Sequence, residues 1–171
     1  ISGNVRVSNT SIRLTEIDKD CRVPARLIPP EAEAMLLVEV EGDSSQELRD
    51  RLGQITSQIH RKKKLAFASR TATERVEMDV YWNLSRSVIP TLYRLEGSLR
   101  ALPFVEDVAV PPEALPDFLV AMQNVLKSHK VTASLFGHVG HGQLHIRPFL
   151  NLADPQDVMK MQGLATDLYQ A

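Results

Sequence analysis

The segment Gly137-His138-Val139-Gly140-His141-Gly142-Gln143-Leu144-His145 sets the tightest limit on how this chain can fold. Its three glycines lie between two runs of strand-forming residues, 131–136 and 143–147. Glycines crowd where the backbone takes unusual angles or must approach another group closely. The segment therefore predicts an antiparallel hairpin with its tip among the glycines. A two-residue turn at His141-Gly142 would set Gly140 opposite Gln143, Val139 opposite Leu144 and His138 opposite His145. Directly opposed residues have Cβ atoms about 5 Å apart and point to one side of the sheet. Two imidazoles so placed can share a metal ion. The same spacing also fits ordinary polar residues in a glycine-rich turn. Two histidines do not complete a site, because structural zinc takes four ligands and catalytic zinc three plus water. His141, at the tip, points elsewhere into solvent.

The rest of the pattern supplies the elements around this hairpin. Residues 34–41 read as a strand closed by Gly42-Asp43. Ser44 is a helix N-cap with Glu47 as its capping-box partner, and Leu48, Leu52, Ile55 and Ile59 share one helical face. The basic run from His60 to Lys64 complements the C-terminal end of that helix. Residues 65–69 read as a short strand. A helical stretch over 73–100 follows, interrupted at Pro90. Residues 104–110 form a strand stopped by Pro111-Pro112, and Leu115, Phe118, Leu119, Met122, Val125 and Leu126 mark an amphipathic helix. Asp154 caps a last helix that has Pro155 at its first position. A short helix around residues 15–25 is also expected. This order predicts an α+β fold, a ferredoxin-like antiparallel or mixed sheet covered by helices. No glycine-rich phosphate turn follows a strand, which argues against a doubly wound sheet. Residues 1–26 are expected to be an irregular lead-in or linker, and 27–171 the domain.

Composition narrows the function classes. The formal net charge is −1, which gives no electrostatic drive toward nucleic acid. No apolar run approaches the roughly 20 residues of a transmembrane helix. Cys21 is the single cysteine, which excludes an internal disulfide or a cysteine-held iron–sulfur cluster and suits a cytoplasmic setting. The chain starts at Ile1 with no signal-peptide pattern, so it is expected to be part of a longer protein. Nothing resembles a nucleophile elbow, a phosphate loop or a metal-binding cysteine pair. Ser85, Ser98 and Ser134 lack the neighbours of a nucleophile. Glu106-Asp107 falls in a strand, where adjacent side chains face opposite sides, so paired-carboxylate chemistry is not expected there. His60 and His129 fall at helix ends and are read as structural.

The stretch from Phe136 to Pro148 resembles the Gly-His-x-Gly-Asp-Gly-Asn-x-His signature of the FAD-linked oxidase C-terminal domain family. That family includes D-lactate dehydrogenase, the glycolate oxidase flavin subunit and D-2-hydroxyglutarate dehydrogenase. Further blocks agree in order. Residues 27–42 are similar to the family's opening strand, Trp82-Asn83-Leu84 to the start of its tryptophan-led helix, and 103–111 to its Glu-Asp-x-x-Val-Pro strand. Asp154-Pro155-Gln156 follows the hairpin as in the family. The resemblance is strongest to large bacterial members that carry an iron–sulfur domain, so such a cluster is implied in the full-length protein only.

The resemblance implies the substrate-side domain of an oxidoreductase that oxidises a 2-hydroxy acid of the lactate, glycolate or 2-hydroxyglutarate type. Hydride would pass to FAD held by a separate domain of the same polypeptide. It implies a divalent metal, zinc or manganese, on His138 and His145, and a substrate contact at Arg86. The family's third ligand and its catalytic histidine belong to a downstream Glu-His-Gly segment, so the catalytic base is expected beyond residue 171 and the fragment alone is expected to be inactive. The full-length protein is expected in the cytoplasm or peripheral to the inner membrane. Three departures stand out: His141 replaces the family's Asp, Gln143 its Asn, and Ser85 its Arg, with Arg86 adjacent. The alternatives are a non-catalytic ferredoxin-like module that binds a metal or small molecule, and an interaction domain with an inert hairpin.

Overall fold

A computed structural model describes residues 7–9, 29, 31, 32 and 34–171. Its strands and helices are β1 (Val7–Asn9), β2 (Leu36–Val38), α1 (Ser45–Thr56), α2 (Arg75–Tyr93), β3 (Arg100–Ala101), β4 (Val105–Ala109), α3 (Leu115–Ser128), β5 (Ala133–His138), β6 (Gln143–Leu150) and α4 (Pro155–Gln170). A π-helical segment, Ser57–Lys62, continues α1. Single 3₁₀ turns at Pro112–Ala114 and Val139–His141 precede α3 and join β5 to β6.

Strand β6 is the centre of the sheet. It pairs antiparallel with β5 on one edge, and with β4 and β3 on the other. β4 and β5 thus run the same way on either side of β6, joined by α3. That is the split βαβ arrangement, and β4-α3-β5-β6-α4 follows the first five elements of a ferredoxin-like order. β1 and β2 form a separate antiparallel pair, with β1 alongside β5. The expected α+β class and antiparallel sheet are both present.

Alternation along β6 decides what each face does. Leu144, Ile146, Pro148 and Leu150 are all fully buried. Leu144, Ile146 and Leu150 form one core with Val105 and Val108 of β4, Leu115, Phe118 and Met122 of α3, and Leu164 and Leu168 of α4. The opposite face carries Gln143, His145, Arg147 and Phe149. At its Phe149 end it is covered by α2, where Val88 and Leu92 pack with Ala101, Phe136 and Phe149. Helices therefore cover both faces, with α3 and α4 on one and α2 on part of the other.

Several boundaries differ from the sequence pattern. The strand expected over 34–41 is confined to Leu36–Val38. Residues 65–69 are not a strand, and Leu65 and Phe67 stand exposed. Helix α2 runs through Pro90 and ends at Tyr93, short of residue 100. Trp82 lies midway along it rather than at its start. Near the proline the Thr91 hydroxyl donates to the Ser87 carbonyl at 2.7 Å, adding a side-chain bond where the helix ladder loses a donor. The helix expected at 15–25 and Cys21 lie outside the described residues.

Two expected caps are in place. The Ser44 hydroxyl accepts from the Glu47 amide at 3.1 Å, and the Asp154 carboxylate accepts from the Gln156 amide at 2.9 Å. One turn into α4, Asp157 accepts from Lys160 Nζ at 2.7 Å and from the Asn151 amide at 2.9 Å. The Lys160 bond, then the Asn151 amide, hold its carboxyl below the usual carboxylate range. A carboxyl depressed in the folded state adds stability above its unfolded pKa of about 3.9 and loses it as pH falls through the folded value. Asp157→Asn is therefore expected to unfold at lower urea than the parent at neutral pH. The two should converge in acid, which a pH series of urea midpoints checks.

Candidate functional site

The hairpin forms, but with a different turn. β5 and β6 pair with His138 opposite Gln143, Gly137 opposite Leu144 and Phe136 opposite His145. The loop is Val139-Gly140-His141-Gly142, closed by the Gly142 amide donating to the Val139 carbonyl at 3.0 Å. The expected turn at His141-Gly142 needs positive φ at both positions. Only Gly142 adopts it, at φ +66°, and the loop closes over four residues instead. The register is thus displaced by two residues from the one expected. Displacement by two keeps every side chain on its own face. His138 and His145 remain on the same face, diagonal rather than opposed, with ring centroids 6.3 Å apart and rings edge to face. His138 is exposed and His145 half-buried.

A second departure lies on β4. Val105 pairs with Ile146 and Val108 with Leu144, so Glu106 and Asp107 together oppose His145. This is a β-bulge, and Asp107 takes φ +53° within it. The expectation that the two acidic side chains face opposite sides fails for this reason. Glu106, Asp107 and His145 each offer a donor atom, all within 4.8 Å of one another. The bulge is anchored from both sides. Val105 and Val108 are buried in the α3/α4 core, and the Tyr169 hydroxyl of α4 donates to the Glu106 carbonyl at 3.2 Å.

His145 is the best-held side chain of the group. Its ring stacks on Phe136 at 4.9 Å and 26°. Its Nδ1–H donates to Glu106 Oε2 at 2.8 Å, since a carboxylate can only accept. The other Glu106 oxygen pairs with the Arg147 guanidinium. Arg147 is buried, its Cζ lies 5.4 Å from the Phe136 ring centroid, and it stands opposite the buried Ser134. Burial pulls the Arg147 pKa below its usual value, and the nearby Tyr93 pushes it back up. Ser134 Oγ and Arg147 Nε are buried with no hydrogen-bond partner among the described residues. Such incompletely satisfied polar groups are uncommon in a structural core and cluster at functional sites.

The other sequence candidates fall apart from this group. Arg86 is exposed on α2, two residues from both Leu84 and Val88, which places it about 200° round the helix from the packed face. His141 is exposed at the hairpin tip, as expected. His129 caps α3 and its Nε2–H donates to Asp167 of α4 at 2.6 Å. His60 lies in the π-helical segment and its Nδ1–H donates to the Ala66 carbonyl at 2.9 Å. A shallow depression beside α1, lined by Arg49, Leu52, Thr56, Arg61 and Thr73, holds none of the site residues. Sequence reading set Glu106 and Asp107 aside and did not single out Arg147. Arg147 was within reach, because it shares its strand face with His145 by simple alternation. The bulge had no comparable signal.

The donor set suits a divalent cation. Imidazole and carboxylate together match zinc or manganese, and the His145 Nε2 lone pair remains available once Nδ1 is protonated. One face of a split βαβ sheet with a histidine hairpin over a pair of carboxylates is the class of site the structure defines. Comparison with known proteins assigns the class to a family. Residues 7–171 match FAD linked oxidases, C-terminal domain, and the chain belongs to that family. It is 38% identical over 87 residues to a D-2-hydroxyglutarate dehydrogenase of Pantoea ananatis, covering 51% of this chain and 8% of that protein. A Pseudomonas putida protein of the same description is 36% identical over 121 residues, 70% of this chain and 12% of that one. The glycolate oxidase subunit GlcD of Bacillus subtilis is 23% identical over 143 residues, 84% of this chain and 29% of that one. The chain thus spans a small part of the relatives it matches. Among the described residues no helix is long and apolar enough to cross a membrane.

The hairpin tip locks the site to the end of β4. The Val110 amide donates to the Gly142 carbonyl at 3.0 Å, and a Cβ on Gly142 would overlap the Val110 carbonyl oxygen. Gly142→Ala combines that overlap with a strained φ. It is expected to destabilise the domain by more than about 2 kcal/mol, read from the denaturant midpoint.

Proposed function

We propose that this chain is the substrate-side domain of an FAD-dependent oxidoreductase that oxidises a 2-hydroxy acid, most specifically one of the 2-hydroxyglutarate type. The observation that carries this reading is the cluster of Glu106, Asp107 and His145, with His138 on the same sheet face, in a member of this family. The choice of substrate type follows the D-2-hydroxyglutarate dehydrogenases, which are the more similar relatives. In this reading FAD is bound by another domain of the same polypeptide, and the sheet face meets the flavin's substrate side.

His138 and His145 would hold a zinc or manganese ion, with the exposed Asp107 carboxylate beside His145 able to join them. Such an ion acts as a Lewis acid on the substrate's hydroxyl and a template for its carboxylate. The chain's own residues orient and exclude. Phe136 and Glu106 fix the His145 ring, so the donor atom does not wander. Arg147 adds a permanent positive charge behind Glu106, which keeps the face from presenting two uncompensated carboxylates to an anionic substrate. The substrate carboxylate is assigned to the cation rather than to Arg86, which stands on the far side of α2.

The test uses the full-length protein under anaerobic conditions. D-2-hydroxyglutarate is expected to bleach the flavin faster than D-lactate or glycolate. Treatment with a strong chelator should stop the bleaching, and zinc or manganese should restore it. His138→Ala and His145→Ala should each slow flavin reduction by about 100-fold or more. Flavin that stays oxidised with all three acids in a protein holding FAD and metal would falsify the reading.

A further inference from the structure

We infer that Glu106 is a positioning residue for His145: standing opposite it in the β4 bulge, its carboxylate accepts from the ring's Nδ1–H, which leaves Nε2 as the one ring nitrogen with a lone pair for a ligand. This rests on the cation reading above only for the identity of that ligand.

Three observations carry it. Glu106 Oε2 accepts from His145 Nδ1–H at 2.8 Å. The second Glu106 oxygen is occupied by the Arg147 guanidinium, so the carboxylate is held from both ends rather than turned toward the open face. Arg147 is itself immobilised, being buried and set over the Phe136 ring on which His145 stacks. A regular strand would direct Glu106 and Asp107 to opposite faces, and the extra residue of the bulge brings them together. The result divides their roles. Half-buried Glu106 orients the imidazole, while exposed Asp107 is left to meet a ligand. Imidazole ligands generally donate their second N–H to a carboxylate or carbonyl, which fixes tautomer and ring orientation. The competing assignment makes Glu106 a direct cation ligand.

The test compares Glu106→Ala and Glu106→Gln with the parent in the full-length protein, using crystal structures of the chelator-treated forms and zinc affinity by chelator competition. In Glu106→Ala the His145 ring is expected to rotate off its present orientation, and zinc affinity to fall by about 10- to 100-fold. Glu106→Gln keeps a carbonyl acceptor for Nδ1–H, so the ring should stay and most of the affinity return. In a His145→Ala background, Glu106→Ala should cause no further loss. A Glu106→Leu, Arg147→Met double variant removes the pair without stranding a buried charge and gives the same reading where the single variant does not fold. A His145 ring that keeps its orientation in Glu106→Ala would overturn the inference, as would equal affinity loss in the Gln and Ala variants. Zinc affinity unchanged by His145→Ala would instead remove the cation reading, and the ring orientation would still decide the role of Glu106.

Discussion

Strand β6 has to satisfy two solvents at once. Leu144, Ile146, Pro148 and Leu150 meet the α3/α4 side, while Gln143, His145 and Arg147 meet the polar side. Because the strand is central, each face is fixed by partners on both edges. A slip of one residue would place His145 and Arg147 in the apolar core and Leu144 and Ile146 in the polar face. The cost of burying a cation and an imidazole without partners is large, so hydrophobic burial on one side specifies the chemistry on the other. The site is therefore precise because of residues that never touch it.

The bulge on β4 works within that constraint. Val105 and Val108 must both face the core, yet three positions separate them, an odd number that a regular strand cannot reconcile with one face. The extra residue is accommodated by Asp107 at positive φ, a conformation that aspartate tolerates better than most residues. The strain is opposed by two buried valines and by the Tyr169 bond to the Glu106 carbonyl. Helix α4, on the opposite side of the sheet, thus helps hold the carboxylates in place.

Much of this fold was legible because its signals are local. Ser44 and Asp154 announced their helices through side-chain caps, and the amphipathic spacing from Leu115 to Leu126 located α3. What failed depended on tertiary partners. Residues 65–69 look like a strand but pair with none among the described residues, and β2 keeps only part of its apolar run. The hairpin is the instructive case. The turn was misplaced because His141 does not take the left-handed conformation that a two-residue loop requires, yet the histidines were still put on one face. A period-two structure forgives errors of two. It does not forgive the bulge, where an odd insertion inverted the reading of Glu106-Asp107.

The same arithmetic bears on the substitutions that set this chain apart from its family's signature. Gln143 lies on the histidine face opposite His138, so replacing Asn there lengthens a side chain inside the site. His141 stands exposed in the loop, beyond the paired residues that carry His138 and His145. Ser85 and Arg86 sit on α2, which packs through Val88 and Leu92 with Ala101, Phe136 and Phe149. The placing of the histidines and of these departures is therefore divided across the fold. The β5-β6 register and the β4 bulge set where His138, His145, Glu106 and Asp107 stand. Of the three departures, Gln143 alone lies within that register, while His141 is in the loop and Ser85 is on α2.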